Sequence, residues 1–491
     1  MKLDSARHSD FEFPSAGDRS GTQIAIPNSE IEILSYCGMS AVSGWVSRCY
    51  FYRVLPFFAT HNYATGAQRP IPMRVLRVSQ LKSVAALPFG SCEAESMETK
   101  SIYLAGAVRT PIGKFGGTLA SLTAADLGVA VAVETLKRAG VNPEQVNESI
   151  WGCARQAGGG PNVARQITYR AQVPQSVPAF TVNQACGSGL KAIILAAQEI
   201  MLGRADVVLA GGTESMSRVP YFAEGARWGM RMGNTQLVDG MYRDGFNDPL
   251  SGLVMGETAE NLAQRHEISR DEQDEYALRS QYRAAAAISS NRFSDEILGL
   301  EVKGPKGQTI TFANDEHARS ETTIQDLSKL KPVFASTGTV TAGNSSGITD
   351  GAAAVTVMSE TAVNSSGSSP QARIVDYEIT GVAPEIMGIG PVPAVRALLD
   401  RQNINISDVD LIELNEAFAA QVIACDRELQ IDQERLNVNG GAIALGHPIG
   451  CTGVRITTTL IHEMAKRKSK LGLATLCVSG GMGLALLLER V

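Results

Sequence analysis

From residue 97 onward this chain predicts a layered α/β fold, and two observations lead there. Short apolar, β-prone runs alternate with amphipathic runs at helical spacing, the pattern of sheets covered by helices. The uncharged 18-residue run Leu471–Leu488 is broken by Ser479-Gly-Gly-Met-Gly483. That suits two buried strands and a tight turn rather than a membrane span. The composition is that of a soluble globular protein: of 491 residues, 44% are hydrophobic and 19% charged. A formal net charge of -6 gives no general electrostatic case for nucleic acid. Eight cysteines, without CxxC pairs or zinc-ligand spacing, fit reduced thiols in a cytosolic protein better than a disulfide framework.

Taken in order, Ile102–Ala107 reads as a strand, and Ala124–Ala139 as a helix stopped by Gly140. Ala179–Val182 is a short strand, and Leu190, Ile193, Ile194, Ala197, Ile200 and Met201 mark a helix after it. Ala205–Gly211 is another apolar strand. The texture from about Ser215 to Gly347 is more charged, with helices at Glu257–His266 and Arg270–Ser289. Alternation then returns through Ala352–Met358, Ala372–Tyr377, Pro391–Arg401, Asp410–Leu414 and the paired strands within Leu473–Glu489.

Residues 1–96 look foreign to the rest. No acidic residue occurs between Glu32 and Glu93, while Arg48, Arg53, Arg69, Arg74, Arg77 and Lys82 do. Such a stretch has features of a transit peptide, but Asp4, Asp10, Glu12 and Asp18 argue against one. Upstream sequence ahead of a start at Met97 is the expectation, with residues 1–96 disordered or making few contacts.

The most informative stretch is Pro178-Ala-Phe-Thr-Val-Asn-Gln-Ala-Cys-Gly-Ser-Gly-Leu190. It places Cys186 at a strand-to-helix turn, at the positive end of a helix, where a thiolate is expected to be stabilised and its pKa lowered. Gly187 and Gly189 are expected to leave room for a bulky electrophile. This is the logic of a nucleophile elbow with sulfur in place of oxygen. A lone cysteine beside glycine is more often a buried core thiol. Three further segments reverse those odds: Asn415-Glu-Ala-Phe418, Asn437-Val-Asn-Gly-Gly-Ala-Ile-Ala-Leu-Gly-His-Pro-Ile-Gly450 and Leu473-Ala-Thr-Leu-Cys-Val-Ser-Gly-Gly-Met-Gly483.

With the Cys186 stretch, these segments resemble the thiolase family, the acyl-CoA C-acyltransferases, from about Ser101 to Val491 in order and spacing. The resemblance implies two βαβαβαββ halves, with helices sandwiched between their sheets and a loop domain inserted in the first. Residues 97–370 would be the N-terminal half, 216–348 its loop domain and 371–491 the C-terminal half. It implies an acetyl-CoA C-acetyltransferase, condensing two acetyl-CoA to acetoacetyl-CoA through an acyl-cysteine. No metal or prosthetic group is expected, and coenzyme A is substrate and product. The expected partners are acyl-CoA molecules and further copies of the chain, as a dimer or tetramer, in the cytoplasm and without a membrane.

Residue by residue, the resemblance makes Cys186 the nucleophile and His447 the base that activates it. Cys477 becomes the second acid/base, and Asn415 the holder of a water in an oxyanion hole. The backbone N–H of Cys186 contributes to a second hole. Arg319 matches a residue near the nucleotide, Ala342 and Ser346 match pantetheine contacts, and Met255 and Phe418 line the acyl end. Two departures stand out. Ser479 replaces a common glycine, which puts that oxyanion-hole geometry in question, and Val254 stands where the biosynthetic subtype usually has histidine. Cys451, four residues after His447, reads as packing. The alternatives are a 3-ketoacyl-CoA thiolase of fatty-acid oxidation and, in another class, a non-catalytic lipid-binding relative. Loss of a catalytic residue would mark the latter.

Overall fold

A computed structural model describes residues 100–304 and 307–491. The expectation for residues 1–96 lies outside the described residues. The first set of strands comprises β1 (Ile102–Arg109), β2 (Glu148–Gly152), β3 (Ala179–Val182), β4 (Val207–Ser215) and β5 (Thr349–Ser359). They lie in the order β3–β2–β4–β5–β1. β5 runs antiparallel to both neighbours, while β3, β2 and β4 are parallel. β6 (Ala372–Gly381), β7 (Leu411–Leu414), β8 (Leu471–Val478) and β9 (Met482–Arg490) repeat the plan. Their order is β7–β8–β9–β6, with β9 antiparallel to its neighbours. A single parallel bridge, Ile412↔Leu436, stands where a third strand would lie outside β7. The two sets meet where β1 and β6 pair, at Tyr103↔Arg373 and Leu104↔Ala372.

Strands β4, β5, β8 and β9 are apolar over most of their length and buried on both faces, as sheets covered by helices require, with Thr213, Glu214, Thr349 and Asp350 buried at the polar ends of β4 and β5. On one outer face lie α1 (Ala124–Ala139) and α2 (Val163–Arg170). The first helix starts at the Thr123–Asp126 capping box and stops at Gly140, φ 67°. Between the two sets of strands lie α3 (Ser188–Met201) and α8 (Ile449–Arg467), whose apolar side chains build the central core with strands of both sets. The other outer face is covered by α6 (Pro391–Gln402) and α7 (Ala419–Leu429). Helices α4 (Met255–Arg265) and α5 (Arg270–Ser289) belong to the long segment between β4 and β5.

The two central helices touch backbone to backbone at their N-terminal turns. A Cβ at Gly453 would lie 2.1 Å from the Leu190 nitrogen, and one at Gly189 2.9 Å from the Gly450 oxygen. A Cβ at Gly187 would press on Leu484 and Val478. This corrects the expectation that Gly187 and Gly189 clear a path for the electrophile. They let α3 seat against α8, β8 and β9. Among the described residues no helix is long and apolar enough to cross a membrane.

Candidate active site

In parallel α/β sheets, ligands gather beyond the carboxyl ends of strands. Here β3 leads into the Cys186 turn, Asn415 follows β7 directly, and Cys477 is the penultimate residue of β8. His447 comes from the turn just before α8. Cys186 and His447 therefore stand at the N-terminal ends of equivalent helices in the two repeats, and the glycine contact between α3 and α8 brings them together.

The Cys186 turn is held in a demanding conformation. Ala185 adopts φ 45°, costly for a non-glycine residue. Hydrogen bonds brace it: Ala185 N–H donates to Asn183 Oδ1 (3.0 Å), Gln184 N–H to Ser188 Oγ (2.9 Å), and Ser188 Oγ to the Ala185 carbonyl (2.7 Å).

Cys186 and His447 line one cavity of about 680 Å³, with Arg319, Ala342, Ser346, Met255, Phe418, Val254 and Ser479. Cys477 is 1% exposed and packs with Met255, Met387, Ala417 and Phe418, four of the cavity's wall residues. Asn415 is also buried, tied through its backbone N–H to the Thr475 carbonyl at 3.0 Å. Its side-chain oxygen and nitrogen have no protein partner, an arrangement suited to holding a small polar molecule. Seven of the nine sequence-predicted residues thus line this cavity, while Cys477 packs behind its wall and Asn415 does not line it.

His447 Nδ1 is 2.6 Å from Thr452 Oγ1, and that hydroxyl lies 3.0 Å from the Pro448 carbonyl. With the single hydroxyl proton given to the carbonyl, Nδ1–H donates to Thr452 and Nε2 carries the lone pair. Nε2 is buried and unpartnered. Burial, then the charges of Arg455 and Arg155, push the imidazole pKa down to about 3. Burial raises the Cys186 thiol above its ordinary range, against the pull of Arg155 and of the backbone N–H groups of Ser479 and Cys186. This corrects the expectation of a depressed pKa: desolvation outweighs the helix end. The resting pair is a neutral thiol and a neutral imidazole. Burial also holds Cys477 well above the usual thiol value.

Ser479 is absent from the residues of positive φ, whereas Gly480 (84°) and Gly481 (83°) carry the turn. A serine is therefore accommodated without strain. Cys451 is 1% exposed within the central core, consistent with packing. No cluster of three metal-binding side chains occurs among the described residues.

Several residues escaped the sequence reading. Glu416 is buried and accepts from Tyr276 Oη (2.9 Å), Ser280 Oγ (2.6 Å), Asn437 Nδ2 (3.1 Å) and Ile443 N–H (3.1 Å). It ties α5 to the segment carrying His447. Glu214 accepts from the N–H groups of Ala154, Arg155 and Gly450 at 2.8–3.0 Å, joining the end of β4 to the start of α8. Thr452 gave no signal beyond its spacing of five from His447. Arg155 and His317 line the cavity, and nothing in the local sequence marked them.

A model of the thiolase N-terminal domain matches residues 102–361, and one of the thiolase C-terminal domain residues 368–490. An acetyl-CoA acetyltransferase of Syntrophomonas wolfei is 52% identical over 397 residues, covering 80% of this chain and 100% of that protein. One from Pseudomonas aeruginosa is 50% identical over 391 residues, with the same coverage of 80% and 100%. Among solved structures, a Bacillus anthracis acetyl-CoA acetyltransferase superposes with a TM-score of 0.78 at 45% identity, covering 80% of this chain and 99% of its own. Human mitochondrial 3-ketoacyl-CoA thiolase in complex with CoA gives 0.77 at 44% identity, covering 80% and 98%.

Proposed function

This chain belongs to the thiolase family, and on that premise we propose that it is an acetyl-CoA C-acetyltransferase, joining two acetyl-CoA to acetoacetyl-CoA and CoA and running the reverse. The observation that carries the reading is the convergence of Cys186 and His447 on one cavity, with Cys477 packed among its wall residues.

The first half-reaction begins when the Cys186 sulfur attacks the thioester carbonyl and its proton passes to His447 Nε2. The tautomer fixed by Thr452 leaves that nitrogen free to take it. Charge develops on the carbonyl oxygen, beside the backbone N–H groups of Cys186 and Ser479. The tetrahedral adduct collapses, the C–S bond to CoA breaks, and the departing sulfur takes the proton back from His447. An acetyl-Cys186 remains.

In the second half-reaction the α-carbon of another acetyl-CoA gives a proton to the Cys477 sulfur and attacks the acetyl carbonyl; the tetrahedral adduct collapses, the C–S bond to Cys186 breaks, and the freed Cys186 sulfur regains a proton as acetoacetyl-CoA forms. Over the cycle one proton leaves the α-carbon and one reaches the released CoA. The site therefore needs two groups that each carry a proton in one step and return it in another. His447 and Cys477 are that pair. A buried thiol with a raised pKa forms a strong base once ionised. Asn415, through a bound water, and His447 would receive the enolate oxygen. Arg319, Ala342 and Ser346 would hold coenzyme A, and Met255 and Phe418, the latter edge-to-face with Phe334, would cap the acyl end.

The same reading divides the chain near residue 370, with 216–348 as the loop domain. It extends to a cytoplasmic homo-oligomer, dimer or tetramer. The edge position of β3, with Phe180 exposed, supports association. The sharpest alternative is a 3-ketoacyl-CoA thiolase for longer chains, which the space left at Val254 favours. Thiolysis of 3-ketoacyl-CoA of four, eight and sixteen carbons decides between them. The four-carbon substrate should lead, since each refused methylene is worth about 1–3 kcal/mol. Equal cleavage of the sixteen-carbon substrate reverses the assignment. Acetyl-CoA should leave one acetyl group on the Cys186 peptide, and an adduct confined to Cys477 would overturn the roles.

A further inference from the structure

Arg155 lines the catalytic cavity beside Cys186 and His447, and none of the roles above uses it. It lies in the loop after β2, where the Glu214 carboxylate pins its backbone through the Ala154 and Arg155 N–H groups (3.0 and 2.9 Å). On the other side lies Gly245, where a Cβ would come within 2.7 Å of both Nε and Nη2. The backbone of the long segment thus closes over the guanidinium. Its Nε is buried and has no hydrogen-bond partner. A cation held this way, with donor capacity unspent, shares the cavity in which the reaction creates negative charge.

We propose that Arg155 supplies the fixed positive charge of the catalytic cavity, favouring negative charge on the Cys186 sulfur and its tetrahedral oxyanion while opposing a lasting proton on His447. This rests on the acyltransferase reading. A preorganised charge in a partly desolvated site acts without reorganising at the moment of reaction. Other charged and titratable groups face the pair. Glu214, from β4, opposes Arg155 at Cys186, but its oxygens are engaged by three backbone N–H groups. Arg455, from α8, faces His447 and is itself paired with Glu413 at 3.5 Å. Cys477 lies behind the wall. Elsewhere in the cavity lining, Lys114 pairs with Glu316 at 3.8 Å, and Arg319 and His317 belong to the loop segment.

One positive charge acting on a thiol and an imidazole has a distinctive signature. Removing it makes the thiolate harder to form and the imidazolium easier to form, so both titrations move to higher pH. A merely structural residue has no reason to move both the same way.

The test compares Arg155→Met, Arg155→Lys and Gly245→Ala with the parent. Iodoacetamide labelling of Cys186 against pH, followed by peptide mass, reports the thiolate and needs no turnover. The pH profile of kcat/KM for acetoacetyl-CoA thiolysis reports the acid limb. In Arg155→Met the labelling midpoint should rise by about one pH unit, with the acid limb rising too, and Arg155→Lys should restore both. Unmoved limbs in Arg155→Met, or a lysine variant that behaves like methionine, would overturn the assignment. If Arg155→Met does not fold, Gly245→Ala decides. Its methyl displaces the guanidinium without deleting the charge, so a smaller rise is expected and no rise rejects the idea. Labelling that shifts as expected in a protein unable to cleave acetoacetyl-CoA would support the charge and sink the acyltransferase reading.

Discussion

The Nδ1 of His447 lies 2.6 Å from the hydroxyl of Thr452, one helical turn into α8. When that hydroxyl gives its proton to the Pro448 carbonyl, it accepts from the ring, and Nε2 is left as the basic nitrogen.

Thr452→Val should leave the fold intact, since the side chains are nearly isosteric, but free the imidazole to take the wrong tautomer. The expected result is a fall in kcat that is part of the ~10²–10⁴-fold owed to a general base, with KM for acetoacetyl-CoA little changed. Steady-state kinetics check this, and a Thr452→Ser variant should recover most of the loss. Parental kcat in the valine variant would show that Thr452 does not set the tautomer.

Cys477→Ser should still accept an acetyl group on Cys186 but condense poorly. A hydroxyl is a far weaker acid than a thiol near neutrality, so the second half-reaction should lose ~10²–10⁴-fold. Mass spectrometry of the acylated chain, set beside the condensation rate, separates the half-reactions. Equal loss in both would assign the two cysteines a shared step.

Burial holds the His447 pKa at about 3, below the ordinary value of 6.5. Between those pH values the unfolded chain binds a proton that the folded chain refuses, so stability falls as pH drops through that window. The contribution is absent above about 6.5 and levels off below about 3. His447→Asn removes the proton-binding group, so its melting temperature should decline less steeply than the parent's from pH 6.5 downward. Parallel declines would place the acid sensitivity elsewhere.

Ser479 lies outside the left-handed region that Gly480 and Gly481 occupy. Ser479→Gly should therefore leave kcat close to parental, while the more flexible backbone costs up to ~1 kcal/mol of stability. Urea unfolding and kinetics measure the two effects. A large gain in kcat would mean that the serine strains the oxyanion-hole donor.

Much of this was legible in the sequence because the chemistry and the local geometry coincide. Ala124–Ala139 and Arg270–Ser289 have the bounds read from periodicity and end signals. The motif residues Cys186, His447 and Cys477 lie at element ends, where turn-forming glycine makes them visible. The helix Ile449–Arg467 was not read, and its burial says why. It is buried along nearly its whole length, yet Gly450, Gly453, Thr457, Thr458 and Thr459 interrupt the apolar residues, so few of the buried positions announce themselves in the sequence. The strand Glu148–Gly152 was not read because only Ile150 and Trp151 in it are β-prone, flanked by Glu, Ser and Gly. The duplication left no residue-level repeat, because a shared strand order constrains hydrophobicity and direction but few identities. The Cys186 pKa was misjudged because a helix end can be read from sequence and depth of burial cannot.

The contact of Gly453 with Leu190 and of Gly189 with Gly450 has a consequence for what each repeat can do by itself. On the proposed roles and boundary, the first repeat carries a nucleophile without its base, and the second carries the proton carriers without anything to acylate. A chain cut near residue 370 therefore yields two fragments that are each chemically mute, however well they fold. Activity is a property of their docking. Since that docking is backbone against backbone, it has no side-chain slack to absorb error. A methyl group at either glycine would spread the two helix ends and lengthen the gap between sulfur and imidazole, so the joint acts as the ruler for the reaction.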